Sequence, residues 1–387
     1  MTDSIAPDPS AHDASQSTAT LEAHLRAQLD ADPVHHASAM TLAGLLLHDS
    51  RVDEAIALLT AHAGDRDCGD LLREYFIGER MNDEAQRLLA QRGSHASASG
   101  LVDKAIASHL RGDIEGALSY CQLAITTDPN YAPAHNHQGR ALFNARRAVP
   151  ARAALVHAVR IAPNYAEAWH NLAHALRDAN ELEQAGRAYG HALRLRPAYR
   201  SALLNLGIVQ MALRHPDAAR ESFDSLLAID PTHAEGCFNL AVCEHLSGHF
   251  DNARQWYERA NAIDPRNPRL PLQYGRLCSE SGDSKGALRQ FRRALDLNPR
   301  DAEAWSEIAM VHDQADHLDE AEHAIAAGLA VAPGDAGLRL EQANLARRRG
   351  DYDAALAGLR AIDPHTLHPR LRPRYEKSLE LTLARLD

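Results

Sequence analysis

Residues 166–199 decide the fold, and they read AEAWHNLAHALRDANELEQAGRAYGHALRLRPAY. In the first half, apolar residues recur at i, i+3, i+4 and i+7, the spacing of one helix face: Trp169, Leu172, Ala173 and Leu176. After a polar break, a second helix face follows: Ala185, Tyr189, Ala192 and Leu193. Pro197 ends this helix because proline has no backbone N–H and clashes with the preceding turn. The stretch therefore predicts a pair of helices.

The same pattern repeats with a fixed period of 34 residues between Ala98 and Asp335. The period is marked by seven prolines: Pro129, Pro163, Pro197, Pro231, Pro265, Pro299 and Pro333. They define seven units without insertion: 98–131, 132–165, 166–199, 200–233, 234–267, 268–301 and 302–335. A period of this length is typical of stacked supersecondary units, each of which contacts only its neighbours.

Small and large residues also alternate between the two helices of each unit. Alanine or glycine recurs in the first helices (Ala173, Gly207, Ala241, Gly275 and Ala309), and aromatic residues recur in the second (Tyr189, Phe223, Tyr257 and Phe291). The spacing W-x2-L-[GA]-x2-[LY], followed by A-x3-[FY]-x2-A and proline, resembles the tetratricopeptide repeat. This resemblance implies an all-α fold: a right-handed superhelical solenoid of antiparallel helix pairs, with a concave groove lined by the first helices.

We expect four regions along the chain. Residues 1–16 have almost no large apolar side chains and are predicted to be disordered. Residues 17–97 form degenerate repeat-like helices, including poorer repeats at 36–65 and 66–97. The regular array occupies 98–366, with a shortened eighth repeat, and 367–387 form a capping helix. The polar stretch 91–100 is either a flexible joint or an ordinary loop.

The capping helix is predicted from a face of large residues near the C-terminus: Tyr375, Leu379, Leu383 and Leu386. A terminal repeat would otherwise expose an apolar face, so this helix is expected to cover it. The alternative is that a further domain follows the array, because such arrays are also found fused ahead of sulfotransferase or oxygenase domains.

Composition narrows the classes of partner. The formal net charge is −11, which disfavours nucleic acid because phosphate binding depends on clustered lysine and arginine. No apolar run approaches the roughly 18 residues of a membrane span, and no signal-peptide pattern is present. Four of the five cysteines fall at core positions and none form a CxxC pair. We therefore predict a cytoplasmic protein, and the Ala/Arg-rich composition suggests a bacterial one.

The candidate binding residues come from the groove positions that the resemblance implies. The sixth residue of successive repeats reads His137, Asn171, Asn205, Asn239, Gln273, Glu307 and Glu341. An amide both donates and accepts, so it can pair with a peptide backbone of any sequence. The series resembles the asparagine ladder in the repeat arm of O-linked N-acetylglucosamine transferases. The alternative is that asparagine before Leu-Gly is common in these repeats whatever their function.

Three further repeat positions neighbour the same predicted groove. The last residue of three consecutive repeats is tyrosine: Tyr131, Tyr165 and Tyr199. Such rings suit partner binding, or alternatively brace the turn between repeats. The ninth position includes Arg140 and His174, and His170 precedes Asn171. From residue 268 onward the groove is expected to become mixed in charge.

Metal binding and catalysis find little support. His170 and His174 are four residues apart on one helix, with His137 on a neighbouring helix, which is a metal-ligand spacing, but no HExxH, cysteine partner or obvious carboxylate completes a set. No phosphate loop or nucleophile motif appears, so no cofactor and no catalytic residue are predicted.

The sequence therefore predicts a non-enzymatic scaffold that binds a peptide or protein segment in the groove. The alternative is a substrate-recruiting arm of a glycosyl- or sulfotransferase or an oxygenase, acting in cis or in trans. Self-association is a third, weaker hypothesis.

Overall fold

The computed structural model describes residues 9–48, 51–62, 68, 71–72, 75 and 97–386. Within these ranges every regular element is a helix, which confirms the all-α prediction. The chain divides into two compact units, Met1–Pro231 and Thr232–Asp387.

The described residues of the first unit form three N-terminal helices and four helix pairs. Its helices are α1 (Pro9–Ala31), α2 (His36–His48), α3 (Val52–Ala61), α4 (Ala98–Leu110), α5 (Ile114–Thr127), α6 (Ala132–Asn144), α7 (Ala148–Ile161), α8 (Ala166–Asp178), α9 (Leu182–Leu195), α10 (Arg200–Ala212) and α11 (Pro216–Ile229). From α4 onward each first helix packs on the second helix of its pair, and first helices of successive pairs also contact one another. The second helix of each pair ends two residues before the periodic proline, which confirms the predicted stop signal.

The second unit continues with the same period. Its elements are α12 (Ala234–Leu246), α13 (Phe250–Ile263), α14 (Leu270–Glu280), α15 (Ser284–Leu297), α16 (Ala302–Gln314), α17 (Leu318–Val331), α18 (Ala336–Arg348), α19 (Tyr352–Arg360), a 3-10 turn (Pro369–Leu371) and α20 (Arg372–Leu383). The final helix packs against α18 and α19.

The small residue of each first helix lets its partner helix approach closely. A Cβ added to Gly207 would lie 2.5 Å from Cε1 of Phe223, a ring that is completely buried. Gly275 faces Phe291 in the same way in the second unit. The predicted pairing of small and aromatic residues is therefore the contact that joins the two helices of a pair.

The turn inside each pair requires a left-handed residue at the fifteenth position of the repeat. Glycine fills it in four repeats, and Arg146, Asn180, Arg214 and Asp316 fill it in the others, all with φ between 60° and 63°. Residues with a Cβ enter this conformation at a cost of roughly 1–2 kcal/mol each. The repeat geometry imposes the turn even where the local sequence does not favour it.

The N-terminal helices are not separated from the array. Leu42 and Leu46 of α2 share one buried cluster with Leu101 and Ile106 of α4. Residues 9–16, which the composition predicted to be disordered, belong to α1. An established helix extends by one hydrogen bond per residue, so the segment needs no large apolar side chain of its own. Residues 1–8, most of 66–97 and most of the proposed joint at 91–100 lie outside the described residues.

The C-terminal helix buries part of the predicted face. Tyr375 is buried in a cluster with Leu340 and Leu359, and Leu379 packs against that cluster. The prediction was wrong for Leu383 and Leu386, which are 37% and 42% exposed, and it missed Ser378 and Thr382, which are buried. Ser378 donates to Asn344 Oδ1 at 2.5 Å, so a polar contact fixes the rotation of the helix.

All five cysteines are buried, as predicted for small core residues: Cys68, Cys121, Cys237, Cys243 and Cys278. Burial raises the pKa of Cys121 to about 12, so its thiol stays protonated. In the described part of the chain, no helix is both long and apolar enough to cross a membrane.

Candidate functional site

The predicted site residues of the first unit lie on three consecutive first helices and on the residues that precede them. Their places are α6 (His137 and Arg140), the residue before α8 (Tyr165), α8 (His170, Asn171 and His174), the residue before α10 (Tyr199) and α10 (Asn205). Because first helices of successive pairs contact one another, these side chains belong to neighbouring repeats.

Asn171 and Tyr165 are joined through a residue that the sequence reasoning missed. Asn171 Nδ2 donates to Asn136 Oδ1 at 2.9 Å, and Asn136 Nδ2 donates to the hydroxyl of Tyr165 at 3.0 Å. Asn136 is completely buried, whereas Asn171 and Tyr165 are half-buried. Its repeat position is leucine or phenylalanine in most other units, and a polar residue there was the available signal.

Asn205 is held by its own surroundings. Arg177 donates from Nη1 to Asn205 Oδ1, and Asn205 Nδ2 donates to the carbonyl oxygen of Ser201 at 2.7 Å. The other terminal nitrogen of Arg177 lies 2.9 Å from His174 Nε2. Asn205 is only 6% exposed. The structure therefore places Asn205 and His174 around one guanidinium, and the Asn205 amide is largely used within the fold.

Tyr199 is completely buried and offers no open ring face. The Arg196 guanidinium carbon lies 3.3 Å from the centre of its ring, and the His170 ring lies 4.8 Å away at an interplanar angle of 32°. Tyr199 thus matches the bracing alternative rather than a direct groove contact. The half-buried His170 is the more accessible member of this stack.

His137 and Arg140 lie beside His109. Burial, followed by the neighbouring Arg140 and His137, lowers the pKa of His109 to about 4, so this imidazole is neutral at pH 7. Glu167 approaches Arg140 at 3.7 Å and is 4% exposed. His137 is almost fully buried, which leaves Arg140 as the member that can reach a ligand.

The histidines do not converge on a metal site. His174 packs edge-on against Phe143, with ring centres 5.0 Å apart, whereas His170 packs on Tyr199. Among the residues that the structure describes, no set of three His, Cys, Asp or Glu side chains is arranged to hold a metal ion.

The second unit carries the remaining predicted residues. Asn239 on α12 is half-buried, and its Nδ2 donates to the carbonyl oxygen of Glu235 at 2.8 Å. Gln273 on α14 is also half-buried. Both are at the repeat position that Asn171 and Asn205 occupy in the first unit.

Charged side chains dominate the same positions nearer the C-terminus. Arg276 Nε donates to Glu307 Oε1 at 2.7 Å, and a second arginine, Arg370, also contacts Glu307. Arg374 Nη2 lies 2.6 Å from Glu341 Oε2. Glu307 and Glu341 are 4% and 2% exposed. The sequence predicted mixed charge here but not that the C-terminal region would supply the arginines.

Comparison with protein-family models agrees with the repeated helix pairs of the fold. Two tetratricopeptide-repeat models match overlapping segments, one at residues 170–234 and 206–268 and the other at residues 244–306 and 279–341. The chain is a tetratricopeptide-repeat (TPR) protein. The matched segments together span residues 170–341, which include parts of both units. No curated protein sequence matches this TPR chain.

Solved structures with the same architecture include other TPR proteins. PilW, described as a widely conserved type IV pilus biogenesis factor, is 19% identical with a TM-score of 0.50, over 54% of this chain and 96% of its own. PilF of Pseudomonas aeruginosa is 21% identical with a TM-score of 0.49, over 54% and 94%. YrrB, described as a TPR protein with an unusual peptide-binding site, is 18% identical with a TM-score of 0.43, over 48% and 95%. At these identities the PilW match shows a shared fold and nothing further.

Proposed function

We propose that this chain is a non-enzymatic protein-interaction scaffold that binds a peptide or protein segment along the first helices of its repeats. Stacked repeats create an extended binding surface to which each repeat contributes side chains. In this chain the contributed side chains include amides, aromatic rings and a cation. Such a mixture suits contact with an extended backbone and its side chains.

The observation that carries the proposal is the fixed amide of Asn171. Its hydrogen bond to the buried Asn136 uses one N–H of the amide group. The carbonyl oxygen and the second N–H can then pair with a peptide group. Because the side chain is already oriented, less conformational entropy is lost on binding. Asn239 supplies a half-buried amide at the same repeat position in the second unit.

The other predicted residues fall into two layers. Arg140, Tyr165, His170 and His174 are half-buried and are proposed to contact the ligand. The more deeply buried residues are proposed to position them: His137, Tyr199 and Asn205. Gln273 is proposed as a ligand contact of the second unit.

The test is to select binding peptides from a displayed library against the wild-type chain and to measure their affinity for variants. Asn171→Ala and Asn239→Ala should each weaken binding by about tenfold, the effect of losing about one hydrogen bond. Asn252→Ala, on the exposed face of α13, removes the same group and should change affinity less than about twofold.

Circular dichroism of each variant checks that the helices are retained. If Asn171→Ala and Asn239→Ala bind the selected peptides as tightly as Asn252→Ala does, with helicity intact, the ligand does not use these amides and the proposed surface is wrong.

A further inference from the structure

The C-terminal segment (residues 367–386) places two arginines on acidic side chains of the first helices. Arg370 contacts Glu307 of α16, which is 63 positions earlier in the chain. Arg374 lies 2.6 Å from Glu341 of α18 and 3.5 Å from Asp313 of α16. One turn further on, Ser378 donates to Asn344 Oδ1.

These contacts fall on the repeat positions that the proposed function assigns to ligand binding. Glu307 and Glu341 are the sixth residues of their repeats, equivalent to Asn171. Asn344 is a ninth residue, equivalent to His174. We name Glu307, Asp313, Glu341 and Asn344 the acidic surface. Within the second unit, the chain's own segment therefore lies where a ligand would lie.

The fit of the segment to the acidic surface is incomplete. Glu341 Oε1 and Arg374 Nε are buried without a hydrogen-bond partner among the described residues. The segment does have an apolar contact, made by Leu367 and Tyr375 with Leu379 partly buried beside them. The rest of the buried face of α20 is polar, at Ser378 and Thr382, while Leu381 and Leu383 remain exposed. Buried ion pairs recover little more than the free energy lost in desolvating their charges, and unsatisfied buried groups are costly.

Glu307 differs from Glu341 in having a second cation nearby. Arg276 of α14 donates to the same Glu307 oxygen that Arg370 contacts, and Arg276 is itself buried. When Arg370 leaves, Glu307 stays paired within the repeats. Glu341 has no such substitute arginine among its described hydrogen bonds, so it loses its cation when Arg374 leaves.

We propose that the acidic surface is a binding site for an arginine-bearing helix of a partner protein, and that residues 367–386 occupy it until the partner displaces them. The proposal rests on the proposed function, because it takes the inward positions of the first helices as the binding face. It extends the proposed function by naming the class of partner that binds the second unit.

The contacts of the segment define the sequence that the partner needs. Arginines at i and i+4 match Arg370 and Arg374, and a hydroxyl residue at i+8 matches Ser378. A large apolar or aromatic residue at i+5 replaces Tyr375, which packs in a cluster with Leu340 and Leu359. Lysine is a poorer substitute, because guanidinium matches carboxylate geometry and is more weakly hydrated. An acidic helix is excluded by like charge.

The experiment measures binding of a fluorescent peptide with the sequence of residues 366–386 to the full chain. Arg370→Ala/Arg374→Ala frees the acidic surface by weakening the intramolecular contact. If the wild-type segment covers the surface more than 90% of the time, this variant should bind the peptide at least about tenfold tighter than wild type. Arg372→Ala/Arg385→Ala removes two exposed arginines of the same segment and should bind as wild type does.

Two further variants test the chemistry of the surface. Adding Glu307→Gln and Glu341→Gln to the Arg370→Ala/Arg374→Ala variant should weaken binding of the peptide by at least about tenfold, because neutral amides replace the carboxylates. A peptide carrying Glu in place of Arg370 and Arg374 should not bind. Adding Asn171→Ala should leave peptide affinity unchanged, so failure of the first-unit site is distinguishable from failure of this one.

Hydrogen exchange of the wild-type chain tests the proposal even if the Arg370→Ala/Arg374→Ala variant loses structure. Saturating peptide should raise exchange at amides of α20 and leave those of α14 protected. Unchanged protection of α20, or equal peptide affinity for the wild-type, freed and Gln variants, would overturn the proposal. A dimer formed by exchanging C-terminal segments, detected by light scattering, would assign the surface to a second copy and overturn the proposed partner.

Discussion

At the scale of single residues, the contact between Gly207 and Phe223 determines how closely two helices can pack. A Cβ at Gly207 would lie within 3 Å of three atoms of a completely buried ring. We expect Gly207→Ala to lower the free energy of unfolding by roughly 1–3 kcal/mol through overpacking. Urea denaturation followed by circular dichroism measures this change.

Gly190 provides the matched substitution at an open helical position. An added Cβ there would meet only the tip of Arg194, at 3.9 Å. Gly190→Ala should therefore stabilise the chain by about 0.5–1 kcal/mol, because alanine loses less backbone freedom in a helix. Equal effects of the two substitutions would show that the ring contact does not limit helix spacing.

The left-handed turn residues give a second prediction. Arg214 adopts φ = 63° at a position where Gly248 and Gly282 serve in the second unit. Arg214→Gly should stabilise the fold by up to about 1 kcal/mol, since relief of the Cβ clash exceeds the entropy that glycine adds to the unfolded chain. A rise in thermal midpoint is the readout. A lower midpoint would mean that the arginine makes a compensating contact.

How far the sequence predicts individual residues depends on whether the repeat determines their environment. Gly207 and Phe223 recur with the period, so their contact was predictable. Asn136 and Tyr199 were not, because their burial depends on contacts outside their own helix or turn: Asn136 bonds Tyr165 and Asn171, and Tyr199 packs on His170. A position can recur in sequence while its exposure differs between repeats.

At the scale of one element, α20 is coupled to a buried carboxyl. The pKa of Glu341 is raised from 4.5 to about 7, mainly by burial and to a smaller extent by Asp313, although Arg374 and Asn344 act to lower it. Between these pH values the folded chain holds a proton that the unfolded chain has released. Stability from this group is complete below about pH 4.5 and is lost as pH rises through about 7.

We therefore expect the free energy of unfolding to fall between pH 5 and pH 8, with Glu341 contributing on the order of 2 kcal/mol. Glu341→Gln cannot titrate, and its unfolding free energy should show a correspondingly smaller pH dependence. Urea denaturation of both proteins across this range measures the difference. Identical pH profiles would show that Glu341 does not titrate there.

The sequence predicted that a C-terminal helix exists and that Tyr375 and Leu379 lie on its packed face, but not that Ser378 and Thr382 complete that face. The helix itself is predictable from neighbouring residues, since Tyr375 and Leu379 follow helical spacing. Its orientation depends on Arg370 meeting Glu307 and Ser378 meeting Asn344, pairs separated by 63 and 34 residues. No single-helix pattern contains such pairs. Leu383 and Leu386 consequently remain exposed.

At the scale of the whole molecule, stability is expected to be distributed, because each repeat packs mainly on its neighbours. Leu46 of α2 is 2% exposed within the cluster that includes Leu101 and Ile106. Leu46→Ala should cost about 2–5 kcal/mol locally and should increase hydrogen exchange in α4 more than in α10. Uniform loss of protection across both helices would indicate one cooperative core instead.

The fixed period explains why the architecture was predictable while the ligand surface was only outlined. Seven prolines and the small residues of the first helices specify where helices stop and how they pair, and these features are local in sequence. The N-terminal helices lack the period, and their shared core with α4 became visible only in three dimensions. The acidic surface likewise lies on two helices, α16 and α18, and is contacted by the C-terminal segment, which follows the last repeat.

The burial of every native thiol has a practical consequence for labelling. The five cysteines are at most 2% exposed, and the pKa of Cys121 and of Cys278 is raised by burial. Maleimide dyes react with accessible thiolates, so the folded chain carries almost no background reactivity. A cysteine introduced at an exposed site, such as Ser119→Cys on α5 or Ser284→Cys on α15, would take up a fluorophore selectively without first replacing the natural ones.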